Sequence, residues 1–143
     1  MQISDNGIKF IRDHEGCKYE AYLDGAGIPT ICVGHTKGVK MGDTATPAQC
    51  DAFLEEDLAF PEHCLDNDVK VPLSQNQYDA LCSFIFNVGV GAFQGSTMLR
   101  MLNESKYDDA AGQFGRWVHD AAGNVEPGLV TRRNDEKALF LTP

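Results

Sequence analysis

Basic residues are scarce in this 143-residue chain: 12 Lys and Arg stand against 21 Asp and Glu, a formal net charge of −9. Phosphate backbones need clustered cations, so nucleic acid is excluded as a main partner. The same balance gives no long-range attraction to an anionic cell wall. A wall-directed function would have to rest on local contacts in a cleft. No apolar run approaches the roughly 18 residues of a membrane span, so no stable membrane insertion is expected. The N-terminus lacks the apolar core of a secretion signal, so synthesis is expected to end in a cytosol. Internal repeats, low-complexity segments and long linkers are absent. Trp occurs once, at position 117. The five Cys, at 17, 32, 50, 64 and 82, are odd in number and include no Cys-x2-Cys pair. Several fall at core-like helical positions, and reduced, buried thiols are the expected state.

What is present is enough for a folded core: 43% of residues are hydrophobic and 9% aromatic, and a chain of this size buries roughly 68–70% of its unfolded surface. Ser4 reads as a helix N-cap, with Ile3 and Ile8 placed as a hydrophobic staple. Gly16 is a natural stop, which leaves Glu15 in the last turn. From Lys18 to Val33 the helical period is lost. Tyr22-Leu23 leads into an Asp24-Gly25-Ala26-Gly27 turn, and Ile28 to Val33 is strand-like with Pro29 at its start. Gly38 and Gly42 suggest a third short strand. Thr46-Pro47-Ala48-Gln49 is a capping box that opens a helix which Pro61 is expected to kink or restart. Ser74 to Gln77 is a second capping box. Its helix, through Val88, is apolar on most sides, as expected of a central element. Glycines at 89, 91 and 95 break the pattern. Short helices follow around Met98–Asn103 and Tyr107–Val118, and a last one runs from near Pro127 to near Leu141.

The residues with the most chemistry lie between Glu15 and Thr36. Eight residues separate Glu15 from Asp24, and five separate Asp24 from Thr30. Hydrolysis of a glycosidic bond needs an acid for the leaving oxygen and a carboxylate on the other side of the sugar. Glu15 at a helix end and Asp24 on a polar glycine turn are two carboxyls in unlike environments, as a split between acid and base requires. Thr30 offers a hydroxyl to hold the attacking water. Alone, each carboxyl would read as a solvated helix end or a plain turn. The order and the elements they sit on make the pair informative.

The run Glu15-Gly16, Tyr22-Leu23-Asp24, Gly27-Ile28-Pro29-Thr30-Ile31-Cys32-Val33-Gly34-His35-Thr36 resembles the signature of the phage-type lysozymes, the bacteriophage endolysins of glycoside hydrolase family 24. The resemblance continues through Val71 to Leu81, Phe86-Asn87-Val88-Gly89, Gly95-Ser96-Thr97, Arg132-Arg133 and Ala138-Leu139-Phe140. Cys32 stands where that run usually has Gly. The resemblance implies an α+β, mostly helical, two-lobed lysozyme-like fold: a small antiparallel sheet lobe at about 15–46, a larger helical lobe from 1–14 and 70–143, and a connecting helix at about 47–68, flanking a cleft. It implies a muramidase that cuts the β-1,4 bond between N-acetylmuramic acid and N-acetylglucosamine in peptidoglycan. Glu15 would be the acid, Asp24 the carboxylate that activates or orients water, and Thr30 the water's second partner. An inverting mechanism would set the two carboxyls about 6.5–9.5 Å apart. Thr36, Phe86 and Asn87 would contact sugar. No cofactor or metal is implied. The expected partners are glycan strands and a separate, holin-like membrane-permeabilising protein. A monomer is expected, made in the host cytoplasm and acting on the wall in the periplasm.

Other groups have simpler readings. Asp57 lies on the apolar stripe between Leu54 and Leu58, and an acid there wants a partner; His35 is the expected one. A zinc site from Cys17, Cys32 and His35 is disfavoured, since residues three apart on a strand face opposite sides. Trp117 reads as a core anchor or as part of a cleft wall. Arg132-Arg133 reads either as a site for stem-peptide carboxylates or as a solvated basic face.

Overall fold

Ser4 sets the first turn of the chain. Its hydroxyl accepts the N–H of Gly7 at 3.1 Å and donates to a carboxylate oxygen of Asp79. Helix α1, Asp5–Glu15, therefore starts at a side-chain cap. It ends at Glu15 because Gly16 takes φ +76° and returns its N–H to the carbonyl of Arg12 at 2.8 Å. A computed structural model describes all 143 residues. The chain is mostly helical with one two-stranded antiparallel sheet, the expected α+β class. It divides into two compact units: Lys9–Ala59, and Met1–Ile8 together with Phe60–Pro143.

In the first unit, strands β1 (Lys18–Leu23) and β2 (Pro29–Cys32) form a hairpin that pairs Tyr22 with Thr30 and Leu23 with Pro29. The expected third strand does not form. The returning chain makes one bridge, Thr44 to Glu20, with two backbone bonds of 2.9 Å, Ala21 to Asp43 and Ala45 to Tyr19. Gly38 and Gly42, at φ +72° and +96°, break the extended run before it can pair further.

β2 stops at Cys32 rather than Val33. Cys32 has φ +60°, a left-handed conformation that costs a residue with a Cβ about 1–2 kcal/mol. It opens a tight turn in which Ile31 and His35 each donate to the other's carbonyl at 2.9 Å. A glycine adopts this backbone freely; here a Cys does, and a covalent bond holds it. Cys32 is joined to Cys50, with Cα atoms 5.1 Å apart. This corrects the expectation of five reduced thiols; Cys17, Cys64 and Cys82 are the free ones. Both bonded residues are buried, as their positions suggested. The hairpin end and the first turn of the next helix bring them within bridging range.

Helix α2, Pro47–Asp68, opens on the Thr46 capping box: Thr46 N–H donates to Gln49 Oε1 at 2.8 Å, and Gln49 N–H to Thr46 Oγ1 at 3.2 Å. It does not restart at Pro61 but runs through it. A proline removes one helical N–H, and buried residues on both sides, Leu54 and Leu58 before it and Cys64 and Leu65 after it, keep the helix continuous.

The second unit is built on helix α3, Gln75–Val88, started by the reciprocal Ser74–Gln77 capping box. Every residue from Tyr78 to Ile85 is buried, so the helix is central as its sequence indicated. Helices α4 (Val90–Gln94), α5 (Thr97–Asn103) and α6 (Tyr107–Gly112) follow. The helix expected to reach Val118 ends at Gly112, and a 3-10 turn at Phe114–Arg116 replaces its last part. Helix α7, Pro127–Leu141, is capped by Glu126, whose carboxylate accepts the N–H groups of Gly128 and Leu129. Phe84 meets Phe93, Phe114 and Trp117 edge-on, which makes Trp117 part of this core.

α7 packs chiefly on α3, and this contact overturns both readings of Arg132-Arg133. Neither is solvated or free for a ligand: both are buried with Glu136, which is fully buried. Arg133 Nε lies 2.9 Å from Glu136 Oε1, Arg132 Nε lies 3.3 Å from Oε2, and the Ser83 hydroxyl donates to Oε2 at 2.6 Å. Burial pushes the Glu136 carboxyl above the usual carboxylate range, while the two guanidiniums and the hydroxyl favour its charged form.

Candidate active site

Glu15, Asp24, Thr30 and Thr36 all belong to the Lys9–Ala59 unit, whereas Phe86 and Asn87 belong to the other. Glu15 is the last residue of α1 and is exposed. Two residues, Gly16 and Cys17, then lead into β1. Asp24 is the first residue beyond β1 and is half-buried. Its Oδ1 accepts the backbone N–H of Ala26 at 2.8 Å and of Ile28 at 2.9 Å. That carboxylate therefore builds the turn it sits on, with Oδ2 left over for another donor.

Thr30, paired with Tyr22 in the hairpin, is almost fully buried. Its hydroxyl donates to the carbonyl of Ile28 at 2.8 Å. The single hydroxyl proton is thus committed, and the oxygen can serve a further group only as an acceptor. Asp24 Oδ2 and Thr30 Oγ1 can therefore each still accept a hydrogen bond. Thr36 is exposed just beyond the Ile31–His35 turn.

His35 is buried, and its Nδ1 lies 2.8 Å from Asp57 Oδ2. Its ring stacks on Phe53, with centroids 4.1 Å apart and planes 5° from parallel. The expected His35–Asp57 pair is therefore formed, and it ties the end of the hairpin to α2. Cys32 shares its sulfur with Cys50 and is not available to a metal.

In the helical unit Phe86 is half-buried and Asn87 exposed at the end of α3. Asn87 accepts from Arg133 Nη2 and lines a pocket of about 340 Å³ with Val88, Arg116, Trp117, His119 and Leu129. Neither Arg116 nor His119 was singled out from the sequence. Arg116 and His119, on either side of the single Trp in sequence, were the signal that could have drawn notice.

A family model described as phage lysozyme matches residues 12–136. The chain belongs to the phage lysozyme family. It is 48% identical to the endolysin of Salmonella phage P22, with 99% of each chain covered. It is 43% identical to the endolysin of Acyrthosiphon pisum secondary endosymbiont phage 1, with 98% of each covered. Among solved structures, a mutant of P22 lysozyme superimposes with a TM-score of 0.91 at 46% identity over 99% of each chain. The muramidase domain of SpmX from Asticaccaulis excentricus does so with 0.94 at 39% identity, also over 99% of each. This phage lysozyme is accordingly an endolysin-type muramidase with a lysozyme fold.

Proposed function

We propose that this phage lysozyme hydrolyses the β-1,4 bond between N-acetylmuramic acid and N-acetylglucosamine, with inversion, to lyse the bacterial host. Glu15 protonates the leaving oxygen. Asp24 and Thr30 hold the attacking water on the opposite face of the sugar. The observation that carries this reading is the hydrogen bonding of the hairpin: Asp24 Oδ1 and the Thr30 proton are both consumed by backbone groups. What remains is a pair of acceptors that can orient a water's lone pair toward a sugar carbon. Thr36, Phe86 and Asn87 are proposed to contact the glycan. No helix is long and apolar enough to cross a membrane, and the proposed route is synthesis in the host cytoplasm followed by release to the periplasm through a holin-like partner. The enzyme works as a monomer, without cofactor or metal.

The test is clearing of chloroform-treated Gram-negative cells by wild type and Glu15→Gln, with product ends analysed. Removal of the general acid lowers the rate by about 10²–10⁴. Equal clearing by both proteins overturns the assignment. Asp24→Asn separates hydrolysis from a lytic transglycosylase, which forms anhydromuramic ends without water. Full activity of that variant would favour the transglycosylase, and glycan binding without cleavage by wild type would favour a silent binding module.

A further inference from the structure

Two turns in this chain are built to one plan. Asp24 Oδ1 accepts the N–H groups of Ala26 at 2.8 Å and Ile28 at 2.9 Å. The Asp24 carbonyl accepts the N–H of Gly27 at 2.9 Å, and its own N–H donates to the Ile28 carbonyl at 3.0 Å. Asp120 does the same. Its Oδ1 accepts the N–H groups of Ala122 at 3.0 Å and Asn124 at 2.9 Å. Its carbonyl accepts the N–H of Gly123 at 3.0 Å, and its N–H donates to the Asn124 carbonyl at 2.8 Å. Gly27 and Gly123 take φ of +77° and +85°. An antiparallel pair flanks each turn, Leu23 with Pro29 and His119 with Val125. An Asp in first place and a Gly in fourth are common to both. The fifth place differs. The second turn ends on Asn124, which is exposed. The first ends on Ile28, whose apolar side chain is 47% exposed. Turn chemistry does not ask for an apolar residue there.

Ile28 is tied to both residues proposed to hold the attacking water. Its N–H and its carbonyl bond Asp24, and the same carbonyl accepts the Thr30 hydroxyl at 2.8 Å. Tyr22 pairs with Thr30 and Leu23 with Pro29, so Asp24 stands opposite Ile28. Strand alternation then puts the Ile28 and Thr30 side chains on one face of the hairpin. An exposed apolar side chain therefore stands beside the two free acceptors, Asp24 Oδ2 and Thr30 Oγ1. In the proposed substrate, the carbon next to the one attacked carries an acetamido group. Its methyl is the nearest apolar part of the sugar to the reaction, and it gains by leaving water against another apolar surface. We propose that Ile28 is a specificity-determining residue. Its side chain packs on that methyl and favours N-acetylated glycan over glycan that lacks it. This rests on the glycosidase reading above and accounts for an exposed apolar side chain that the turn does not require.

The test compares soluble peptidoglycan strands bearing natural N-acetyl groups with strands deacetylated and then N-formylated, which keep the amide and lose only the methyl. Wild type should cleave the acetylated strands with a kcat/KM about fourfold higher, the worth of one buried methyl-sized group. Ile28→Asn copies the last residue of the second turn, so the fold should hold and the melting midpoint should stay in place. The preference for acetylated strands should disappear in that variant and shrink in Ile28→Ala. Equal rates on both strands by wild type, or a preference that survives in both variants, overturns the proposal. A second readout needs no turnover. With Glu15→Gln and the acetylated strands, an intermolecular nuclear Overhauser effect between an Ile28 methyl and the acetyl methyl is expected, and its absence overturns the proposal. That contact without cleavage by wild type would sink only the hydrolase reading, and cleavage without the contact would sink only this role of Ile28.

Discussion

His35 Nδ1 lies 2.8 Å from Asp57 Oδ2, and this contact spans 22 positions of sequence. The imidazole is buried and stacked on Phe53, while the Asp57 carboxylate that meets it is partly exposed. Asp57→Ala should therefore destabilise the fold by about 1–3 kcal/mol, the cost of an orphaned buried polar group. Thermal melting checks this; an unchanged midpoint would mean that the pair holds nothing together.

Gly7 is confined by its neighbours. A Cβ added there would lie 2.6 Å from Ile3 Cγ1 and 2.7 Å from Asp79 Cγ. Asp79 is fully buried and bound to Ser4 and Gln75, so it cannot swing aside. Gly7→Ala should cost about 1–3 kcal/mol, as overpacking does, although alanine is the better helix former. Denaturant unfolding gives the sign directly, and a gain in stability would contradict the packing argument.

The Cys32–Cys50 bond combines two opposing effects that substitution can separate. Reduction should lower stability by about 3 kcal/mol, given the 18-residue separation that it closes. Cys32→Gly and Cys32→Ser both lose the cross-link. Only glycine relieves the φ of +60°, so Cys32→Gly should unfold about 1 kcal/mol later than Cys32→Ser. Equal stability of the two variants would show that the backbone at this position relaxes once the bond is gone.

The three free thiols differ in access. Cys17 is partly exposed, whereas Cys64 and Cys82 are buried. Alkylation of the native protein without reductant should mark Cys17 alone, and alkylation after unfolding should mark three, as mass spectrometry can count. Burial, with the Asp68 carboxylate beside it, pushes the Cys64 thiol from 9.0 up to about 12. A folded-state value above the unfolded one gives stability that is full below pH 9.0 and is lost as pH rises from there toward about 12. Melting temperature should fall across that alkaline window, and Cys64→Ala should flatten the fall.

Local signals in this chain were readable, and most long-range ones were not. The caps at Ser4, Thr46 and Ser74 depend on residues three apart, and each formed as its motif indicated. The local placement of Glu15, Asp24 and Thr30, on a helix end, a turn and a strand, was readable because those elements follow one another directly. The pairing of Asp57 with His35 was reachable too, since an acid on an apolar stripe demands a partner. The disulfide was missed because buried positions alone do not say which two thiols meet. Arg132 and Arg133 looked like a surface pair until Ser83, 49 residues away from Arg132, and Glu136 closed around them. The third strand failed at glycines whose positive φ no alternation pattern reveals.

Forming the bond between the hairpin end and the start of α2 removes two electrons from the chain. The polypeptide therefore exists as two chemically distinct molecules, and the oxidant supply decides which one is in hand. Material purified from a reducing cell interior and material refolded in air are different samples of one sequence. Any melting point or activity assigned to this lysozyme belongs to one of them, and a thiol count taken beside each measurement says which.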